Sequence, residues 1–224
     1  MTNCGNIKNY VFLGEAGCGK SEISVELALR LSGTEGKRVR FFDLDMTKPL
    51  FRSRDLKEEL EKAGVDLVYE EQFMDAPVTV GGVESSLNDS NVFTILDVGG
   101  DVLGSRAIGM YSRRLQMADT KIYYVINPFR PWSDTLEHID AIMSKVLQGA
   151  RLSVENIEII ANPNMSGETT AEDVITGYKR LNEILKPYKE IRFCVASEKL
   201  AGEVSEEIGA ELFILSRHII YPWS

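Results

Sequence analysis

The chain has 224 residues, 44% of them apolar and 26% charged, the proportions of an ordinary globular protein, and 34 acidic against 25 basic side chains leave a net charge of −9. The acidic balance disfavours DNA or an anionic membrane as a partner held by charge alone. No apolar run approaches the ~20 residues of a membrane span, and the first residues carry no basic or apolar signal character, so the chain is expected to be cytoplasmic.

The length predicts one domain over residues 1–224, burying about 70% of the surface of the unfolded chain. Cys4, Cys18 and Cys194 are odd in number and widely spaced, with no CxxC or Cys/His cluster, which argues against a disulfide framework or a structural zinc. In chain order, strands are expected at Lys8–Leu13, Lys37–Asp43, Val65–Tyr69, Asn91–Asp97, Lys121–Asn127, Asn156–Ala161 and Ile191–Ala196. Several are continuous apolar runs, the pattern of a parallel sheet covered on both faces.

Helical stripes fall between the strands. Ile23, Leu27 and Leu31 make the first. Trp132, Leu136, Ile139, Met143 and Val146 make another, with Asp134 and Glu137 as a capping box and Gly149 as a stop. Val174, Tyr178, Leu181 and Leu185 follow Thr170 and end before Pro187; Leu200, Val204 and Ile208 are closed by Gly209. The alternation predicts an α/β fold: a doubly wound, mostly parallel central sheet with helices on both faces. Glu70–Ser90, with Pro77 and Gly81-Gly82, has little periodicity and reads as an excursion or short hairpin.

The strongest motif is Gly14-Glu15-Ala16-Gly17-Cys18-Gly19-Lys20-Ser21, which fits G-x-x-x-x-G-K-[ST] between a strand pattern and a helix pattern. Its glycines let the backbone wrap closely and aim N–H groups at phosphate oxygens, and the helix behind adds its positive dipole end. Lys20 offers an ammonium to the β- and γ-oxygens, and Ser21 a hydroxyl to Mg²⁺. Cys18 sits near that helix start, where a thiol pKa can fall; the plainer reading is a small residue that fits the loop.

A second motif is the strand run ending Asp97-Val98-Gly99-Gly100. An Asp closing a buried strand is costly without a cation or donor, and beside a phosphate loop the Mg²⁺ shell is its natural partner. Gly99 and Gly100 leave the backbone free to approach a γ-phosphate and to rearrange when it leaves. The third motif is Asp43-Leu44-Asp45-Met46-Thr47-Lys48-Pro49. Its paired carboxylates would repel if buried without a cation, although taken alone the run also fits a solvated turn.

Together these motifs resemble the MinD/ParA/CobQ group of P-loop ATPases, in the class that also holds the nitrogenase iron protein, CO-dehydrogenase maturation ATPases and signal-recognition GTPases. The resemblance implies ATP and Mg²⁺. It places residues 14–21 (Gly14, Glu15, Ala16, Gly17, Cys18, Gly19, Lys20 and Ser21) on the phosphates, with Gly100 beside them. Ser21, Asp43 and Asp97 would stand near Mg²⁺. Lys20 would stabilise transferring charge, Asp45 would position the attacking water, and Asn162, ending the run Ile159-Ile160-Ala161, would contact the base. A guanine-reading acid is missing from Asn162-Pro163-Asn164-Met165, which favours ATP over GTP.

The chain departs from the family in carrying Glu15 where many members have a signature lysine that reaches a partner's phosphates. Repulsion from a triphosphate is expected to turn the Glu15 side chain toward solvent or a partner. There are no cluster cysteines between Asp97 and Met117, and the end His218-Ile219-Ile220-Tyr221-Pro222-Trp223-Ser224 reads as a packed tail rather than a basic membrane helix. Arg106, Arg113 and Arg114 read as a solvated helix face or switch contacts rather than a DNA site. The expected function is a Mg²⁺-dependent ATP-hydrolysing switch with slow basal turnover, acting on a protein partner or in cofactor or metalloenzyme maturation, and allowing a nucleotide-dependent homodimer. A small-molecule kinase or ligase, or a nucleotide-binding regulator with negligible turnover, are the alternatives.

Overall fold

The computed structural model describes residues 6–34, 36–45, 56–69, 81–165 and 168–216. Eight strands form one sheet: β1 (Asn9–Gly14), β2 (Arg38–Leu44), β3 (Val65–Val68), β4 (Val92–Val98), β5 (Thr120–Ile126), β6 (Ile157–Ala161), β7 (Ile191–Ser197) and β8 (Glu211–Leu215). Their order is β3-β2-β4-β1-β5-β6-β7-β8, and every neighbouring pair is parallel. The expected mostly parallel sheet is therefore wholly parallel among the described residues.

The helices are α1 (Lys20–Ser32), α2 (Lys57–Lys62), α3 (Val83–Asn88), α4 (Val102–Gly109), α5 (Ser112–Leu115), α6 (Leu136–Ala150), α7 (Ala171–Leu185) and α8 (Ala201–Val204). Alternation along the strands divides the core in two. On β1, Val11 and Leu13 join the layer holding Met143, Val146, Leu181 and Leu185, while Tyr10 and Phe12 join the layer holding Ile23, Leu27 and Leu31. β5 repeats the division, with Ile122, Tyr124 and Ile126 on one side and Tyr123 and Val125 on the other. Both faces being covered is why these strands read as continuous apolar runs. No described helix is long and apolar enough to cross a membrane.

Several local expectations change. The cap of α6 is Thr135, whose hydroxyl accepts from His138 N at 3.2 Å; Asp134 instead bonds His138 Nδ1 at 2.6 Å. Trp132 precedes that helix and is exposed. Gly149 does not stop α6, which runs to Ala150 and ends on Arg151 at φ 55. A Cβ on Gly149 would lie 2.3 Å from Ser105 Oγ, so the glycine lets α4 pack against α6. At α7, Thr170 forms a capping box with Asp173. The stripe Leu200–Ile208 yields only the single turn α8, and the chain then enters β8, an edge strand that the short run Glu211–Leu215 did not announce. Residues 83–88 form a helix where a hairpin was one expectation, anchored by buried Val83 and Leu87. Residues 70–80, Met46–Pro49 and the tail from His218 lie outside the described residues.

Candidate functional site

Parallel strands all end on one side of the sheet, so the loops after β1, β2, β4, β5, β6 and β7 gather there. The loop after β1 is the glycine-rich run. Gly19 caps α1 at φ 95, a left-handed conformation that a side chain would strain, and a Cβ there would meet Asn162 Nδ2 at 2.1 Å. Lys20 is buried beneath the loop, its Nζ donating to the Glu15 carbonyl at 2.9 Å with Cys18 Sγ at 4.0 Å.

β2 and β4 lie side by side with Asp43 opposite Asp97 in register, and both carboxylates are 1% exposed. Burial, reinforced by the Asp43 charge, pushes the Asp97 carboxyl up to about 7, while Lys20 and a hydrogen bond from the Ser21 side chain oppose the shift. Asp97 Oδ1 is buried with no hydrogen-bond partner among the described residues. That orphaned oxygen, the Asp43 charge and the Ser21 hydroxyl are hard oxygen donors that fit Mg²⁺. Among the described residues no cluster of three or more His, Cys, Asp or Glu side chains makes a metal site by itself. A magnesium ion here would need further oxygens from water or a phosphate, as is usual for that ion.

Asp45 follows on the loop, its N–H donating to Asp43 Oδ1 at 3.1 Å, and lines the same cavity as Lys20 and Ser21, about 720 Å³ in volume. The loop after β4 presses on the phosphate loop. A Cβ on Gly100 would fall 2.4 Å from Ala16 N and 2.8 Å from the Glu15 carbonyl carbon, so only glycine permits this approach. Asn162, 1% exposed at the end of β6, donates from Nδ2 to the Cys18 carbonyl at 2.8 Å, bracing the loop.

Two expectations are corrected. Glu15 does not turn to solvent: its Oε2 is buried, and its charge helps raise the Cys18 thiol and the Tyr124 phenol. The Glu15 carbonyl is taken by Lys20. Cys18 is buried, in keeping with the plainer reading of a small residue that fits the loop, and desolvation raises its pKa. Cys194 is likewise buried, its thiol pushed up to about 12. Arg114 does not stand on the expected solvated helix face, being folded onto Asp119 at 2.7 Å.

The motifs did not single out the β5–α6 loop. Asn127, 2% exposed, donates to the Asn164 carbonyl at 2.7 Å, and Arg130 Nε donates to the Gly17 carbonyl at 3.0 Å. Both line the cavity. Their only signal was position: β5 adjoins β1, so whatever follows β5 must stand beside the phosphate loop.

The fold is similar to that of solved P-loop NTPase structures, among them ParA-type ATPases and signal-recognition GTPases. The chain is similar to FtsY of Thermotoga maritima (19% identity, TM-score 0.55, 87% of this chain and 63% of that one) and to chloroplast FtsY of Physcomitrella patens (16%, 0.52, 87% and 61%). It is also similar to a presumed plasmid partition protein of Borrelia burgdorferi bound to AMPPNP (15%, 0.53, 89% of each chain). The chain spans about three fifths of the length of the two FtsY structures. No protein-family model matches the sequence, and no curated protein matches it.

Proposed function

We propose that the protein binds ATP with Mg²⁺ in this cavity, hydrolyses it slowly, and uses the difference between its ATP and ADP states to switch affinity for a protein partner, including one in cofactor or metalloenzyme maturation. The observation that carries this reading is the convergence of Lys20, the Asp43–Asp97 pair and Gly100 on one phosphate loop. Residues 14–21 would cradle the phosphates through backbone N–H groups and the α1 dipole. Ser21, Asp43 and Asp97 would hold Mg²⁺, which when bound neutralises charge on the phosphate oxygens. Lys20, leaving the Glu15 carbonyl, would turn its ammonium to the β- and γ-oxygens, and Asp45 would orient water for attack on the γ-phosphorus. Gly100, in van der Waals contact with the loop, gives the region after β4 a direct report of the γ-phosphate. Asn162 would stand beside the base, and the absence of an acid in Asn162–Met165 supports adenine over guanine.

A small-molecule kinase on the same site is the second reading, favoured by Glu15, since a transferase needs no lysine reaching across a dimer. ATP turnover without any acceptor supports the switch, and ADP release that depends on an acceptor supports the kinase. Lys20→Ala is expected to lower ATP affinity by about 100-fold or more in calorimetric titration, because the loop loses its buried ammonium. Asp45→Asn is expected to leave affinity nearly intact and to slow turnover by about tenfold or more. Wild-type binding by Lys20→Ala overturns the nucleotide site.

A further inference from the structure

Arg130 occupies a position that neither the three motifs nor the reading above uses. Its loop is held tightly: Asn127 Oδ1 accepts from Phe129 N at 3.0 Å, Arg130 N donates to the Asn127 carbonyl at 3.1 Å, and Ser133 N donates to the Arg130 carbonyl at 3.0 Å. Asn127 is itself buried and tied to Asn164. From this platform the exposed side chain crosses to the phosphate loop. Its Nε–H is taken by the Gly17 carbonyl, and the guanidinium carbon lies 3.7 Å from where a Cβ on Gly17 would stand. A guanidinium has five N–H donors, so the terminal amino groups keep the rest. No carboxylate among the described residues pairs with them.

An unpaired, preorganised guanidinium at the middle of a phosphate loop, in the same cavity as Lys20, has the chemistry of a phosphate receptor. We propose that Arg130 is a second phosphate-recognising cation, supplied by this chain's own β5–α6 loop and directed at the phosphates beyond the first of the bound nucleotide. The inference rests on the nucleotide-site reading above. It also gives position 15 a physical context: with a glutamate there, the second positive charge comes from the β5–α6 loop of the same chain.

The test is calorimetric titration of ATP, ADP and AMP, each with Mg²⁺, onto the full chain carrying Arg130→Gln or Arg130→Lys. The Gln variant keeps a donor for the Gly17 carbonyl and loses the charge, whereas Lys keeps the charge. Arg130→Gln is expected to weaken ATP by about tenfold and ADP measurably, with AMP unchanged, while Arg130→Lys loses less ATP affinity than Arg130→Gln because it keeps the charge. Both should melt without nucleotide at the wild-type temperature, because the side chain is exposed. Wild-type ATP affinity for Arg130→Gln overturns the proposal, as does a loss as large for AMP as for ATP, or a loss in Arg130→Lys equal to that in Gln. Lys20→Ala run in parallel separates the two failures. If it abolishes ATP binding while Arg130→Gln does not weaken it, only the role of Arg130 falls; if neither matters, the site itself is wrong.

Discussion

The two ends of the central strands both bury charge, and they treat it in opposite ways. At the end where β1 begins, Lys8 Nζ donates to the carbonyls of Leu87 and Asp89, each at 2.8 Å, and stands 3.9 Å from Asp119. Arg114 grips Asp119 with two bonds of 2.7 Å and reaches Asn88 and the Leu87 carbonyl as well. The Arg114 guanidinium holds the Asp119 carboxyl below the usual carboxylate range. At the other end, Asp97 lies in register with Asp43, is driven up toward neutrality by burial and like charge, and keeps an unpartnered oxygen. One end is closed by counter-charges within the protein; at the other, Lys20 and the Ser21 hydroxyl offset the buried like charge only in part. Depth of burial does not distinguish the two ends, but the completeness of the counter-charge does.

The contrast breaks first at Asp97. Asp97→Asn is expected to reduce Mg²⁺-dependent ATP affinity by about 100-fold, with a much smaller loss when magnesium is chelated. Its melting temperature without ligand should not fall, since the substitution removes a buried repulsion. Equal losses with and without magnesium would make Asp97 a structural residue like those at the opposite end.

Arg114→Met should behave in reverse. Leaving Asp119 without its guanidinium is expected to cost about 2 kcal/mol of unfolding free energy in denaturant titration. Nucleotide affinity should change by less than about twofold, because no Arg114 contact reaches the cavity. A large loss of binding with unchanged stability would reverse the assignment of the two ends.

The smallest effect is in pH. Because the folded-state pKa of Asp119 is depressed, its contribution to stability is fully present above the unfolded value of about 3.9 and is lost as pH falls through the lower folded value. The stability gap between wild type and Asp119→Asn should therefore be flat from neutral pH to about pH 5 and shrink in more acidic solution. A gap that widens on acidification would mean the pair does not favour the ionised carboxylate.

The strand pattern and the three motifs were legible because they depend on local rules. A parallel sheet covered on both faces demands continuous apolar runs, and a phosphate loop demands glycines, a lysine and a hydroxyl at fixed spacing. Seven of the eight strands and the α1 stripe follow from such rules. Tertiary packing decided the rest. Gly149 reads as a stop signal but serves the contact of α4 with α6, because only the fold brings Ser105 against it. Cys18 and Glu15 have solvent or ligand roles available by sequence, yet the folded loop buries the Cys18 side chain and the Glu15 Oε2. Arg130 carries no motif at all. It comes beside Gly17 because β5 was laid next to β1, a pairing between residues more than 100 positions apart that no local periodicity encodes.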